Sequence, residues 1–234
     1  MRFIVEEKVF TLIPTACFGV VVARGVDNSI KNPAVMARLE QAIESTRNKF
    51  SSTKPKEHPD LQPYREAFKK MQINPNKFPC SVEALSTRIA KGSDLPDINP
   101  AVNLVHAYSL EYTLPMGAHD LDSTDGDIEV RFSRTGDLFI PFGESEPEIL
   151  EDGELVYAAG KTIKTRKWIW RQSNFGKVTA KSSNIFFPID GFADYNYKAV
   201  IEARDRLAAD LELLLKGKTE KHYVDINNRS IEIG

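Results

Sequence analysis

The sequence predicts an α+β fold, a sheet or sandwich with helices packed outside. Two observations carry this. Apolar residues at helical spacing fill much of the first half, and period-two alternation dominates after residue 117, with short strands at the outset as well. Helices and strands that are segregated rather than alternating argue against a βαβ arrangement. The 234 residues suffice for one large domain. No repeat or low-complexity tract divides them, and the polar, proline-bearing stretch 51–59 is expected to be an internal loop. A single domain over 1–234 is therefore expected.

Phe3-Ile4-Val5, Val9 to Ile13 and Phe18 to Val22 are rich in β-branched and aromatic side chains, so each is expected to be a strand. Asn32-Pro33 is a helix start: an amide to cap the first turn, then a residue whose φ is already helical. Val35, Met36, Leu39, Ile43 and Phe50 follow at helical spacing and predict a helix over 33–50. Leu61 to Met71 predicts a second. Ser81 is expected to cap a third that runs to Lys91, with Gly92 in the left-handed position after it. Asn99-Pro100 repeats the start signal, and Val102, Val105, Ser109 and Tyr112 mark one side of that helix. Ile128, Val130 and Phe132 then alternate with Glu129, Arg131 and Ser133. Leu138 to Phe142, Leu155 to Tyr157 and Thr162 to Arg171 continue as strands. A long amphipathic helix is expected over 196–216, and a hairpin about Asn227-Asn228 ends the chain.

Thirty-one basic and 33 acidic residues leave a net charge of −2. That excludes a protein that coats long duplex DNA, which calls for a strongly basic domain. Cys17 and Cys80, the only cysteines, make neither a disulfide framework nor a Cys-rich metal site, and they suit a reducing cytoplasm. No leader is expected, and no apolar run approaches the roughly 20 residues that span a bilayer, so no membrane partner is expected.

Charge is nonetheless distributed unevenly. Between Leu155 and Ile189 stand seven basic residues and no acidic one: Lys161, Lys164, Arg166, Lys167, Arg171, Lys177 and Lys181. Both tryptophans, Trp168 and Trp170, lie in the middle. Cations pair with phosphates and aromatic faces stack on bases, the combination a single-stranded nucleic-acid end requires. The competing reading is a basic hairpin whose tryptophans pack inward.

Residues able to do chemistry are few. No phosphate-binding glycine loop, nucleophile elbow or His-Glu-x-x-His is present. His119, beside Asp120 and Asp122, fits a general base whose tautomer a carboxylate fixes, or a loop histidine whose neighbour caps a turn. Ser81 is a nucleophile on paper and a helix cap by position. Cys80 fits a small buried residue better than an activated thiol. No spacing matches a metal site, and no cofactor is expected.

An ordered series of motifs carries a resemblance. It runs Tyr64-Arg65; Asn74-Pro75-x-Lys77-x-Pro79-x-Ser81-x-Glu83-Ala84-Leu85-x-x-Arg88; Leu95-Pro96-x-Ile98-Asn99; Ser109-Leu110; Leu114-Pro115-x-Gly117; Asp120-Leu121-Asp122; Gly153-Glu154-Leu155-Val156-Tyr157; and Arg166-x-Trp168-x-Trp170-Arg171-Gln172-Ser173. The series resembles stand-alone proteins related to the editing module of bacterial phenylalanyl-tRNA synthetase, domains three and four of its β subunit, over about residues 60 to 192. Similarity to the synthetase module itself is fainter. The family's aspartate is Asn103 here, its next asparagine is His106, and its histidine falls on Gly117 rather than His119. A glycine-rich turn of the module falls near Trp168 to Ser173, so this pocket is expected to be lined by large side chains.

The resemblance implies a β-sandwich-like core of unusual topology with helices packed around it. It also implies an activity: hydrolysis of the ester that joins a wrong amino acid to the 3′ acceptor end of a tRNA. The alternative is a module that grips a tRNA end or an amino-acid-like ligand without hydrolysis. Gln172, Ser173 and His119 are the expected catalytic residues, the first two orienting the ester or the water. Lys164, Lys167 and Arg171 are expected to hold phosphate, and Trp168 or Trp170 to stack or wall the pocket. Ser81, Arg88, Asn99, Asn103, His106 and Asp120 complete the expected substrate-binding set.

Overall fold

A computed structural model describes all 234 residues. Its strands form two sheets that face each other. The first contains β1 (Arg2–Val5), β4 (Ile128–Phe132), β5 (Asp137–Phe139), β6 (Glu148–Leu150), β7 (Leu155–Ala159), β8 (Thr162–Arg166), β9 (Arg171–Gln172) and β12 (Ser230–Glu232). Its order is β12-β1-β4-β7-β8-β5-β6, with β9 on β8. The second contains β2 (Ala16–Arg24), β3 (His119–Asp120), β10 (Ile185–Phe192) and β11 (Lys218–Val224), in the order β11-β2-β10-β3. β1 runs parallel to β4, and β5 to β8, while the other pairs are antiparallel. The fold is α+β, a sandwich with helices outside it.

β2 shows why the layers form. It is apolar on both faces, as a strand covered on both sides must be. Phe18, Val20 and Val22 join Phe3, Val5, Val130 and Tyr157 in the core between the sheets. Cys17, Val21 and Ala23 point the other way, into a second core beneath α5 (Pro100–Tyr112) and α6 (Tyr197–Leu215). Gly191 of β10 lets α6 approach, because a Cβ there would land on Val200 and on Oδ1 of Asn196. α2 (Pro33–Lys49) packs on α5, and its start is capped as expected: Asn32 accepts from the amides of Ala34 and Val35. Asn99 caps α5 in the same manner, accepting from Val102.

Three expectations are corrected. Val9 to Ile13 is not a strand but part of α1 (Glu7–Leu12) and its end. Val9, Phe10 and Ile13 all enter the inter-sheet core, and their spacing suits a helical turn; a short apolar run does not itself distinguish the two. The run Thr162 to Arg171 is broken by a turn at 167–170, where Lys167 (φ 47°) and Trp168 (φ 61°) are left-handed. The last two strands turn about Asp225–Asn228 but do not pair with each other: β11 lies on β2 and β12 on β1, so the chain changes sheet.

The spacing of the motif around residue 80 has a structural use. Arg65 of α3 (Gln62–Lys70) meets Glu83 of α4 (Ser81–Ala90) at 2.6 Å and Asn76 at 2.7 Å. Tyr64 donates to the Asp190 carbonyl at 2.8 Å. These bonds fix α4 against the sandwich and set the position of its first residue, Ser81.

Candidate functional site

At the end of the inter-sheet core lies a small cleft of about 70 Å³. At about 30 Å³ each this is room for about two waters. Five chain segments meet there, counting β7, which brings Tyr157, and β8 with its following turn, which brings Thr165. α4 brings Ser81, and the stretch 115–119, which ends in the first residue of β3, brings Pro115, Met116, Gly117 and His119. The turn after β8 brings Trp168, Ile169 and Trp170, with Gln172 following, and β10 brings Pro188 and Asp190. The 115–117 stretch is pinned along β10: Gly117 donates to the Pro188 carbonyl, and Asp190 donates to that of Pro115. Gly117 is needed for that approach, since a Cβ would stand 3.3 Å from Pro188 and 3.5 Å from Nε2 of His119.

Asp190 is the most perturbed acid of the molecule. It is 2% exposed, and burial pushes its carboxyl up to about 7, against the lowering effect of two hydrogen bonds. The hydroxyl of Tyr157 and the indole Nε1 of Trp168 each donate to Oδ1 at 2.7 Å. Oδ2 takes neither bond and remains for whatever fills the cleft. The left-handed turn at 167–170 is what delivers the Trp168 indole. Left-handed conformation costs a non-glycine residue about 1–2 kcal/mol. Glu154 holds the turn closed: it accepts from Arg166 at 2.8 Å, from the Lys167 amide at 3.1 Å and from its ammonium at 2.5 Å.

His119 lines the cleft but in a different state from the one its neighbours suggest. Burial, with a smaller contribution from Lys164, pushes it down to about 3, and its Nδ1 has no partner. Asp120 does not turn to it. Its carboxylate accepts from Ser182 at 2.7 Å and from the Asp122 amide at 2.9 Å. His119 is therefore a neutral imidazole, stacked near Tyr157 and Phe186, and a hydrogen-bonding group rather than a strong base.

Of the expected site residues, Ser81, His119, Trp168, Trp170 and Gln172 come together in the cleft. Gln172 donates Nε2 to the Ala118 carbonyl at 2.7 Å. Ser81 is the first residue of α4, not its cap: Cys80 holds the cap position, with no side-chain bond. Ser173 is sealed, its hydroxyl exchanging bonds with the Ile140 backbone. Asn99, Asn103 and His106 lie on α5, outside the cleft lining. Asn99 caps the helix, and Asn103 bonds Asp97 and the Ile98 amide. His106 is half-buried, and the desolvation of its ring pushes it down to about 4. Arg88 stands about two turns further along α4 than Ser81, outside the cleft lining, and donates to the Asp94 carbonyl.

The basic segment is also less free than its sequence suggests. Lys164 is 2% exposed, bonded to Thr124, and lowered in pKa by burial. Arg166 and Lys167 are neutralised by Glu154, and Arg166 also by Glu148. Arg171 keeps its charge free, near the ring of Trp170 at 6.0 Å. Sequence reading missed Asp190 and Tyr157. The signal for Asp190 was there: a lone carboxylate in the apolar run from Phe186 to Phe192.

The B3/4 domain family model matches residues 63–210, well over half of the chain. The chain belongs to the B3/4 domain family. Every cleft-lining residue of this B3/4 domain falls inside the matched span. A curated relative, the phenylalanine–tRNA ligase β subunit of Idiomarina loihiensis, is 34% identical over 107 residues. That alignment covers 46% of the chain and 13% of the relative. Among solved structures, an N-terminal fragment of the phenylalanyl-tRNA synthetase β subunit from Pyrococcus horikoshii superposes with a TM-score of 0.52. It covers 95% of the chain and 53% of the fragment at 10% identity, a likeness of fold. The B3/4 domain thus spans about an eighth of the curated relative and about half of the solved fragment. None of its helices is long and apolar enough to cross a membrane.

Proposed function

We propose that the cleft hydrolyses the ester of a mischarged aminoacyl-tRNA. Asp190 carries this reading. A carboxyl held near 7, with one oxygen unengaged and facing a cavity the size of a water or two, suits a general base at neutral pH. It takes a proton from the water that attacks the ester carbonyl, and the ribose oxygen leaves with a proton. Gln172 and Ser81 orient the ester and the water, while neutral His119 offers a hydrogen bond without a competing charge. An activated ester needs little more than position and a few aimed dipoles.

One observation favours the rival, a module that grips a tRNA end without hydrolysis. The cleft is well below the roughly 300 Å³ of ordinary small-molecule sites. A panel of mischarged tRNAs offered to the pure protein separates the two. Release of amino acid is expected, reduced at least about tenfold in Gln172→Ala, the effect of losing one contact of ~1.4 kcal/mol in the transition state. The variant should keep the thermal midpoint of the parent. Binding of deacylated tRNA without release from any member of the panel would establish the rival.

A further inference from the structure

A large groove lies away from the cleft. It has a volume of about 1080 Å³ and runs between residues 50–56 and the outer side of α4. Its charge is one-sided. Lys54, Lys56, Arg88 and Lys91 line it, and all four are exposed. Glu83, the one carboxylate in the lining, is engaged by the buried guanidinium of Arg65 at 2.6 Å. Asp94, at the groove's end, is held by Arg47 at 2.7 Å. The remaining polar groups include the hydroxyls of Thr87 and Ser93. Four uncompensated cations beside hydroxyl donors suit a chain of phosphates.

Groove and cleft share a helix. Ser81 opens onto the cleft, while Arg88 and Lys91, further along α4, border the groove. Ten residues of helix span about 15 Å, the length of about four stacked nucleotides at ~3.4 Å each. Between the two sites, Phe78 meets Trp170 edge-on at 4.8 Å, with the Lys77 and Lys167 ammonium groups 5.1 and 4.8 Å from the Phe78 ring centre. Aromatic rings flanked by cations are a stacking platform for unpaired bases.

We propose that this groove is the track for the sugar–phosphate backbone of a single-stranded RNA 3′ end whose terminal residue lies at the mouth of the cleft. The direction of the strand rests on the reading of the cleft given above, whereas binding in the groove does not. The test uses the full chain and a fluorescently labelled, unacylated single strand ending in CCA, followed by anisotropy at several salt concentrations. Lys54→Glu with Lys56→Glu, and Arg88→Glu with Lys91→Glu, should each weaken binding at least about tenfold. Each pair should lower the slope of log affinity against log salt by roughly 1.4, at about 0.7 per phosphate contact. Lys198→Glu with Lys218→Glu, exposed on α6 and β11, should change neither. If the Arg88 pair lowers the thermal midpoint, the loop pair decides. The proposal is overturned if both pairs bind as the parent does while Arg171→Glu with Lys177→Glu abolishes binding, or if the parent binds no strand at low salt. Binding of this strand, with no release of amino acid from the panel of mischarged tRNAs, overturns the hydrolytic reading alone.

Discussion

Asp190 is a carboxylate inside an otherwise apolar strand, and its titration should be visible in stability. Its folded-state value, about 7, lies above the ordinary 3.8. The folded protein therefore binds more protons than the unfolded chain between those values, and the stabilisation present at low pH is lost as pH rises through 7. Asp190→Asn removes the titration and keeps an oxygen for Tyr157 and Trp168. Urea midpoints at pH 5 and pH 8 should show the parent losing stability relative to the variant, on the order of a few kcal/mol. A difference that is flat with pH would mean that Asp190 does not titrate in this window. If Asp190 is the base, the variant should also lose at least about tenfold in deacylation, together with the rise in rate near pH 7.

The turn at 167–170 is the element on which the site depends. Two left-handed residues in sequence are unfavourable, and three contacts oppose the strain: the burial of Trp168, its bond to Asp190, and the clasp of Glu154 on Arg166 and Lys167. Glu154→Gln leaves the half-buried Lys167 without a counter-charge and Arg166 with Glu148 alone, at a cost of about 1–3 kcal/mol. Both tryptophans of the chain stand in this turn, so emission from selectively excited tryptophan reports on it. The variant should emit at longer wavelength than the parent in native buffer. Unchanged emission with an unchanged thermal midpoint would mean that the clasp does not hold the turn.

Across the whole molecule, two desolvated histidines, His119 buried and His106 half-buried, should shape the acid side of the stability curve. His106 and His119 are held near 4 and 3, well below 6.5, by burial. The unfolded chain binds more protons below 6.5, so the stabilisation these groups give is complete above that pH and is lost as pH falls through 4 and 3. Asp190 acts in the opposite sense over the same range, and Glu83, also raised by burial, acts with it toward the lower end. Stability should therefore decline from about pH 6. His106→Gln combined with His119→Gln should flatten the decline between pH 6.5 and 4.5 in urea titrations, and a curve as steep as the parent's would place its cause elsewhere.

Local pattern in the sequence determined what is local in the protein. Asn32-Pro33 and Asn99-Pro100 start helices because an amide and a fixed φ act within one turn, and the alternation from Ile128 to Phe132 makes a strand because one face is buried. The motif series was enough to point to the family and to Ser81, Trp168, Trp170 and Gln172 of the cleft, while His119 stood out by its neighbouring aspartates. Tertiary structure decided the rest. It sent β11 and β12 to different sheets, since a turn sets the reversal but not which edge each strand joins. It paired Arg166 and Lys167 with Glu154, a residue just outside the stretch whose charge was counted, and buried Lys164. It withdrew Ser173, Asn99, Asn103 and His106 from the cleft and put Asp190 there. A side chain's charge state depends on the water around it and on partners brought from far along the chain. For Asp190 these are Tyr157 and Trp168, which only the packing of one sheet on the other, and a strained turn, bring within 2.7 Å.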